Sequence, residues 1–110
     1  MIKVWLDDER PAPSNWHHVK TSTEAIVLLK KETVLEISLD NDLGLDDEEG
    51  YDVLKFLEEK AFTDPNFQLP EIHIHTANPV ARQKMQAGIE NIRKFRHNKQ
   101  RKCLINVERV

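Results

Sequence analysis

The stretch "EIHIHTANP" (residues 71–79) alternates isoleucine with histidine and then stops at Asn-Pro. A period of two is typical of a β-strand, whose successive side chains point to opposite faces of a sheet. Ile72 and Ile74 would then share one face, and His73 and His75 the other. A parallel strand covered by helices on both faces usually reads as a continuous apolar run, which this stretch does not. We therefore predict a strand with one apolar and one polar face.

Further strands are predicted before and after this one. Residues 2–6 ("IKVWL") and 35–40 ("LEISLD") show the same alternation, and "WHHVKT" (16–21) and "CLINV" (103–107) read as two more strands. The connection "ERPAPSN" after the first strand contains two prolines, so we predict that it is short and irregular.

Three helices are predicted between these strands. Thr21 followed by Glu24 is a capping-box signature for the first helix, and the apolar stripe of residues 51 to about 60 indicates the second. Asn78 is a favourable cap for a long third helix with Pro79 at its first position. Strands that alternate with helices predict a parallel α/β sheet, whose ligand site lies at the carboxyl ends of the strands.

The composition indicates a single polar domain that comprises residues 1–110. Hydrophobic residues make up 39% of the chain and charged residues 32%, which is typical of a folded globule. No apolar run approaches the roughly 20 residues that span a bilayer, so we expect no contact with a membrane. Cys103 is the only cysteine, which excludes an intrachain disulfide and favours a cytoplasmic location.

Acidic residues follow two of the predicted strands. Asp7 and Asp8 end the first strand, Asp40 ends the third, and Thr76 adds a hydroxyl at the end of the fourth. Carboxylates that converge at one sheet edge repel each other unless a cation neutralises them. A site with few carboxylate ligands and water suits Mg²⁺ or Mn²⁺. We predict a metal site at the three aspartates; alternatively, the Asp7–Asp8 pair only begins a turn.

Other residues are candidates for contact with a phosphate-bearing partner. Residues 93–102 ("RKFRHNKQRK") form a basic block, with Arg93 and Arg96 at its start, that either attracts phosphate groups or is a solvated helix end. Trp5, on the polar face of the sheet, could stack on a nucleobase or cover an interface. Arg82 is a further candidate contact.

Several segments of the chain resemble a receiver domain of the response-regulator type. They are "KVWLDDERPAP", then "ISLDNDLG" leading to "GYDVLKFLEE", and then "IHTANPVARQKM". They are most similar to the divergent cyclic-phosphate-processing branch of these domains, and the resemblance covers nearly the whole chain. It implies a reduced receiver-like (flavodoxin-like) fold of five parallel strands in the order 2-1-3-4-5, with three helices mainly on one face. The family's acidic metal pair corresponds to Asp7 and Asp8, its phospho-acceptor to Asp40 and its hydroxyl residue to Thr76. His75 and Asn78 match only the divergent branch.

The chain also departs from ordinary receivers. The first and last helices are missing, and the lysine after the fifth strand is replaced by "ERV", where Arg109 is only a loose substitute. These departures argue against an ordinary phosphorelay role. If both helices are missing from the same side of the sheet, that face is open, which would explain the histidines of the quoted strand.

The resemblance implies metal-dependent processing of terminal cyclic phosphates of RNA or nucleotides. The three aspartates would hold Mg²⁺, Thr76 and the amides at the Asn78 end of the helix would bind a phosphate oxygen, and His75 would transfer a proton. His75 could instead only hydrogen-bond a carboxylate, and His73 is interpreted as structural. Two other functions stay open: a divergent receiver that accepts phosphate on Asp40 or binds a partner, and a binding protein that forms a homodimer through the open sheet face.

Overall fold

The computed structural model describes residues 1–43 and 49–108, with side chains as far as residue 96. Its elements in chain order are β1 (Ile2–Leu6), β2 (His17–Val19), α1 (Ser22–Lys31), β3 (Val34–Leu39), α2 (Tyr51–Thr63), β4 (Glu71–Ile74) and α3 (Pro79–Glu108). The four strands form one parallel sheet in the order β2-β1-β3-β4. The predicted α/β class, the three helices and the order of the first four strands are confirmed.

The fifth strand predicted at residues 103–107 does not occur in the described structure, because that segment continues α3 to Glu108. The prediction rested on a short apolar run, and a run of this length does not distinguish a strand from the continuation of a helix. The sheet of the described residues therefore has four strands, and β4 pairs with β3 alone. Arg109, the loose substitute for the missing lysine, lies outside the described residues.

The chain passes from β1 to β2 without a helix in this described segment, as predicted. The Asp7 side chain organises the turn, because its Oδ1 atom accepts the backbone N–H groups of Glu9 at 2.8 Å and of Arg10 at 2.9 Å. Asn15 has a φ of 72°, in the left-handed region that asparagine tolerates better than most residues. A short irregular connection thus takes the place of a helix.

Two helices begin with the predicted caps. Thr21 Oγ1 accepts the N–H of Glu24 at 3.1 Å at the start of α1. Asn78 Oδ1 accepts the N–H groups of Val80 at 3.0 Å and Ala81 at 3.2 Å at the start of α3. Local hydrogen bonds between nearby residues therefore determine where both helices start.

The core lies between the apolar face of the sheet and the helices. The strand residues of this face that are buried in the core include Val4, Leu6, Ile37, Leu39 and Ile72. They pack with the apolar stripes of the helices, which include Leu29, Val53, Leu54, Leu57, Met85, Ile89 and Ile92. No helix in the described part of the chain is both long and apolar enough to cross a membrane.

The opposite, open face of the sheet is only partly covered, by aromatic rings. The rings of Trp5 and His75 are stacked at a centroid distance of 3.8 Å and an angle of 5°, and Trp16 meets Trp5 edge-on at 6.1 Å. We call these three side chains the aromatic cover. Beside them Ser38 is only 5% exposed. His75, which follows β4, therefore packs against side chains of the neighbouring strands, Trp5 and Ser38.

Candidate metal and phosphate site

The backbone places three candidate residues at the carboxyl edge of the sheet. Asp7, Asp40 and His75 directly follow β1, β3 and β4, and each donates its amide hydrogen to the end of a neighbouring strand. The acceptors are the carbonyl oxygens of Val19 at 3.1 Å, Leu6 at 3.0 Å and Leu39 at 3.0 Å, respectively. The ladder of the sheet is thus extended by one residue past each of these strands, which holds the three side chains next to each other.

Three carboxylates converge at this edge. One oxygen each of Asp7, Asp8 and Asp40 lies within 4.8 Å of the other two, while Asp7 is 1% and Asp40 9% exposed. Three negative charges at this separation favour the uptake of a cation, and an all-carboxylate donor set suits a hard divalent ion. The residues present therefore fit Mg²⁺ or Mn²⁺. Mg²⁺ would complete its coordination with water, because it takes six ligands.

A cleft of about 260 Å³ opens beside the carboxylates. It is lined by Asp8, Glu9, Arg10, Asp40, Asp42, Thr76 and Ala77. A larger groove of about 400 Å³ lies between β4 and α3, where Ile72, Ile74 and Ile89 contribute apolar surface. We take the smaller cleft as the candidate site, because two of the three converging carboxylates, Asp8 and Asp40, line it and none of the three lines the groove.

The charge of Asp7 is stabilised by the turn that it organises. Its burial raises the pKa of the carboxyl group, but hydrogen bonds from the amides of Arg10 and Glu9, together with His75, outweigh burial and hold the pKa below its ordinary value. Asp7 is therefore a carboxylate at neutral pH without the help of a cation.

Both nitrogens of His75 are already engaged. Nε2 lies 3.1 Å from Asp7 Oδ2 and Nδ1 lies 2.7 Å from Ser38 Oγ. Burial lowers the pKa of His75 more than the nearby Asp7 and Asp40 raise it, so the ring is neutral around pH 7. A carboxylate can only accept, so Nε2 carries the hydrogen and Nδ1 accepts from the Ser38 hydroxyl. In this geometry His75 holds Asp7 in place.

Thr76 and Asn78 have local partners at the start of α3. Thr76 is 1% exposed and its Oγ1 atom accepts the N–H of Asn78 at 3.2 Å. The amides of Val80 and Ala81, candidates for binding a phosphate oxygen, are hydrogen-bonded to the Asn78 side chain. Thr76 lines the cleft, and its hydroxyl donates to no other group of the described residues. Asn78 serves as the helix cap.

The three candidate arginines do not line the cleft. Arg82 and Arg93 line the groove beside α3, and Arg82 also donates to the carbonyl of Thr76 at 3.0 Å. Arg96 donates to the carbonyls of Asp64, Pro65 and Phe67, so it fastens the loop after α2. The side chains of residues 97–102 of the basic block lie outside the described structure.

His73 belongs to a separate group on the open face. Its Nε2 atom lies 2.9 Å from Glu36 Oε1, and Lys3 Nζ lies 3.2 Å from Glu36 Oε2. Glu36, Glu71 and His73 each offer a ligand atom within 4.8 Å of the others. Lys3 already neutralises the charge of Glu36 through an ion pair between adjacent strands. The hydrogen bond of His73 to Glu36 adds to this cross-strand group, in agreement with a structural role for His73.

Sequence reasoning missed two residues of the site. The alternation of β3 predicts that Ser38 lies on the polar face of the sheet, and the register places it between Trp5 and His73. Nothing in the sequence indicates that its side chain is hydrogen-bonded to His75. Arg10 lies three residues after Asp7, and its Nη1 donates to the carbonyl of His75 at 3.3 Å. Trp5 Nε1 in turn donates to the carbonyl of Arg10 at 3.3 Å.

Comparison with known proteins identified one family. The family model described as the cyclic-phosphate processing receiver domain matches residues 2–91, which include the four strands of the described structure and the start of α3. Neither the curated proteins nor the solved structures gave a significant match. The matched range contains all the residues of the carboxylate cluster and of the cleft.

Proposed function

Because this chain belongs to the cyclic-phosphate processing receiver domain family, we propose that it is a metal-dependent enzyme that opens terminal cyclic phosphates of RNA or of nucleotides. The observation that supports this most directly is the convergence of Asp7, Asp8 and Asp40 within 4.8 Å beside a small cleft. A cleft of about 260 Å³ has room for a phosphate group and part of its sugar, but is smaller than typical drug-sized pockets.

The reaction proposed is hydrolysis of a cyclic phosphodiester. The oxygen of water forms a bond to phosphorus, the bond from phosphorus to one ribose oxygen breaks, and one proton of the water ends on that released oxygen. The product is a phosphate monoester beside a free hydroxyl. Mg²⁺ or Mn²⁺ bound at the cluster would supply Lewis acidity and neutralise the charge that develops on the phosphate oxygens.

The protein's own residues have distinct tasks in this proposal. Asp7, Asp8 and Asp40 hold the cation, and the turn amides on Asp7 keep that ligand ionised. Thr76 offers its hydroxyl hydrogen to a non-bridging phosphate oxygen, since its Oγ1 atom already accepts from Asn78. The buried floor of the cleft keeps these groups oriented before substrate arrives, which is what electrostatic stabilisation of a transition state requires.

His75 has two candidate roles in the reaction. As it stands, the ring orients Asp7 through Nε2 and is itself held by Ser38 and by Trp5. Transfer of a proton to or from the substrate requires that the bond to Asp7 or to Ser38 break first. We propose the orienting role, because both nitrogens are engaged and the ring is 12% exposed.

The test is turnover of a nucleoside 2′,3′-cyclic phosphate, followed by phosphorus NMR in the presence of Mg²⁺ or Mn²⁺. We expect the monoester to appear with wild-type protein, and Asp8→Asn or Asp40→Asn to reduce the rate by at least about a hundredfold, because each removes a charged metal ligand. Glu59→Gln, which removes an exposed carboxylate of α2, is the matched control. If wild-type protein turns over none of several cyclic-phosphate ends with either metal, the proposed enzymatic activity is refuted.

A second function is favoured by the placement of Asp40. Its carboxylate lines the cleft and carries a single hydrogen bond from the Asn41 amide, so one oxygen is open to a phosphoryl donor. A divergent receiver would accept the phosphoryl group on Asp40 and signal by binding a partner. Intact mass measured after incubation with acetyl phosphate and Mg²⁺ distinguishes this function: one added phosphoryl group, lost in Asp40→Asn, combined with no turnover, would support it.

A further inference from the structure

The cleft carries an excess of negative charge. Of the residues that line it in the described structure, Asp8, Glu9, Asp40 and Asp42 are acidic and Arg10 is the one cationic side chain. A bound divalent cation offsets two of these charges and leaves the cleft net negative. A phosphate anion that enters must therefore find a positive group of the protein close to the metal, or it is repelled.

Arg10 is held in position from both ends. Its amide donates to Asp7 Oδ1 at 2.9 Å, and its carbonyl accepts from Trp5 Nε1 at 3.3 Å, so its backbone is tied to the cluster and to the aromatic cover. In the side chain, Nη1 donates to the carbonyl of His75, and Nε lies 3.8 Å from Asp7 Oδ2. The guanidinium is therefore pre-organised beside the metal ligands.

Part of this guanidinium is still free to bind a ligand. The Arg10 side chain is 52% exposed, and its described contacts use Nη1 and Nε but not Nη2. A guanidinium carries five N–H donors in a planar fork that matches the oxygens of a phosphate. The ion pair with Asp7 is long, at 3.8 Å, and its cationic partner is half exposed, so it alone does not account for the position of the guanidinium.

From this arrangement we propose that Arg10 is the phosphate-binding cation of the site and contacts a non-bridging oxygen of the phosphate. The proposal rests on the proposed function, because it assumes a phosphate ester in the cleft. When the cyclic diester opens, the phosphate changes from a monoanion to a monoester that carries up to two negative charges. Arg10 then binds the charge that develops more strongly than the charge of the substrate, which is the condition for catalysis.

Two binding titrations test this without relying on turnover. Calorimetry measures first Mn²⁺ alone and then inorganic phosphate at saturating Mg²⁺, in wild type, Arg10→Gln and Arg10→Lys. We expect Arg10→Gln to weaken phosphate binding roughly tenfold to a hundredfold, the range of a charge-assisted hydrogen bond. Arg10→Lys should lose less, because it keeps the charge without the fork. Mn²⁺ should bind Arg10→Gln as tightly as wild type or more tightly, because a positive charge beside the carboxylates has been removed.

The matched control is Lys31→Gln, an exposed cation in the last turn of α1, at the opposite end of the sheet. Unchanged phosphate affinity in Arg10→Gln would overturn the assignment, and so would an equal loss of Mn²⁺ and phosphate binding, which would mean that Arg10 only maintains the turn. Wild-type protein that fails to bind phosphate would overturn it too. Phosphate binding that depends on Arg10, without turnover of any cyclic phosphate, would preserve the assignment and reject the enzyme.

Discussion

At the scale of single residues, the ring of His75 contacts three other side chains of the site. Its ring is stacked on Trp5, and its two nitrogens join Ser38 of β3 to Asp7 after β1. For Asp7 as a proposed metal ligand, the hydrogen bond from His75 to Oδ2 fixes the orientation of the carboxylate. Loss of such a partner typically changes metal affinity or activity by roughly ten- to a hundredfold.

Replacement of His75 by Gln separates its two candidate roles. If the ring orients Asp7, we expect Mn²⁺ affinity to fall by roughly tenfold to a hundredfold, and the rate at saturating metal to recover in part. If it transfers a proton, metal and substrate binding should persist while the rate falls by roughly a hundred- to ten-thousandfold. His73→Gln is the control and should change little in either measurement, because His73 pairs with Glu36 outside the cleft.

At the scale of the elements, α2 begins close to the end of β3, where Asp40 of the carboxylate cluster lies. The amide of Gly50 donates to the carbonyl of Asn41 at 3.0 Å, and a Cβ atom at Gly50 would overlap the carbonyl oxygen of Asp40. Only glycine allows this helix to start so close to the strand that carries a proposed ligand.

Substitution of Gly50 by Ala should therefore disturb both stability and the cluster. We expect unfolding to become easier by about 1–3 kcal/mol, as for other overpacked sites, and Mn²⁺ binding to weaken because Asp40 is displaced. Gly88→Ala is the matched control: its Cβ would lie 3.4 Å from the Tyr51 ring, and alanine is the better helix former inside α3. Chemical denaturation and metal titration measure the two effects, and a Gly50 variant that matches wild type in both would contradict the account.

A second contact between elements lies on the open face of the sheet. There Glu36 of β3 pairs with Lys3 of β1 and with His73 of β4. Hydrogen bonds from His73 and then from Lys3 lower the pKa of Glu36 below its ordinary value. A carboxyl whose pKa is lowered by folding stabilises the fold above its unfolded pKa, and this contribution disappears as the pH falls through the folded pKa.

We therefore expect Glu36→Gln to be less stable than wild type at pH 7 and the difference to shrink as the pH falls below about 4.3, the ordinary pKa of glutamate. Urea denaturation at several pH values, in the presence of a chelator, measures this difference. Glu59→Gln, which removes an exposed carboxylate of α2 outside this group, is a suitable comparison. A difference that grows as the pH falls below about 4.3 would have the wrong sign and would exclude this pairing as the cause.

At the scale of the whole molecule, the two sides of the sheet are built differently. One side packs on three helices, and the other carries the aromatic cover and the charged group around Glu36. The homodimer through this open face stays a prediction, which sedimentation of wild type and Trp16→Ala at several concentrations would test.

Another prediction at this scale concerns the basic block, whose first two arginines have different surroundings in the structure. Arg93 is exposed, whereas Arg96 is bound to three carbonyls of the loop after α2. If the substrate is an RNA end, we expect Arg93→Gln to weaken its binding and to reduce the salt slope by somewhat under one unit. Arg96→Gln should instead lower the stability of the fold. Equal RNA affinity and equal slope in wild type and Arg93→Gln would mean that Arg93 is only part of a solvated helix face.

The class of fold follows from the sequence because it depends on short-range patterns. Alternation in β1, β3 and β4, the caps at Thr21 and Asn78, and the order of strands and helices are local signals, and together they predict a parallel sheet with polar groups at its carboxyl edge. The same patterns bring Asp7, Asp8 and Asp40 to one edge, since parallel strands end on the same side. The apolar segment at residues 103–107 was misread, because a run of five residues has no period long enough to decide between strand and helix.

Only the tertiary structure decided which side chains contact each other within the site. The sequence has no signal that His75 uses both nitrogens, on Ser38 and Asp7, or that Arg10 reaches the carbonyl of His75 from 65 positions away. These contacts join segments that are distant in the chain and close in the fold, so they depend on the sheet order and on the turn after β1. For the same reason the burial that keeps His75 neutral, and the excess of carboxylates around Arg10, are properties of the assembled edge and not of any one segment.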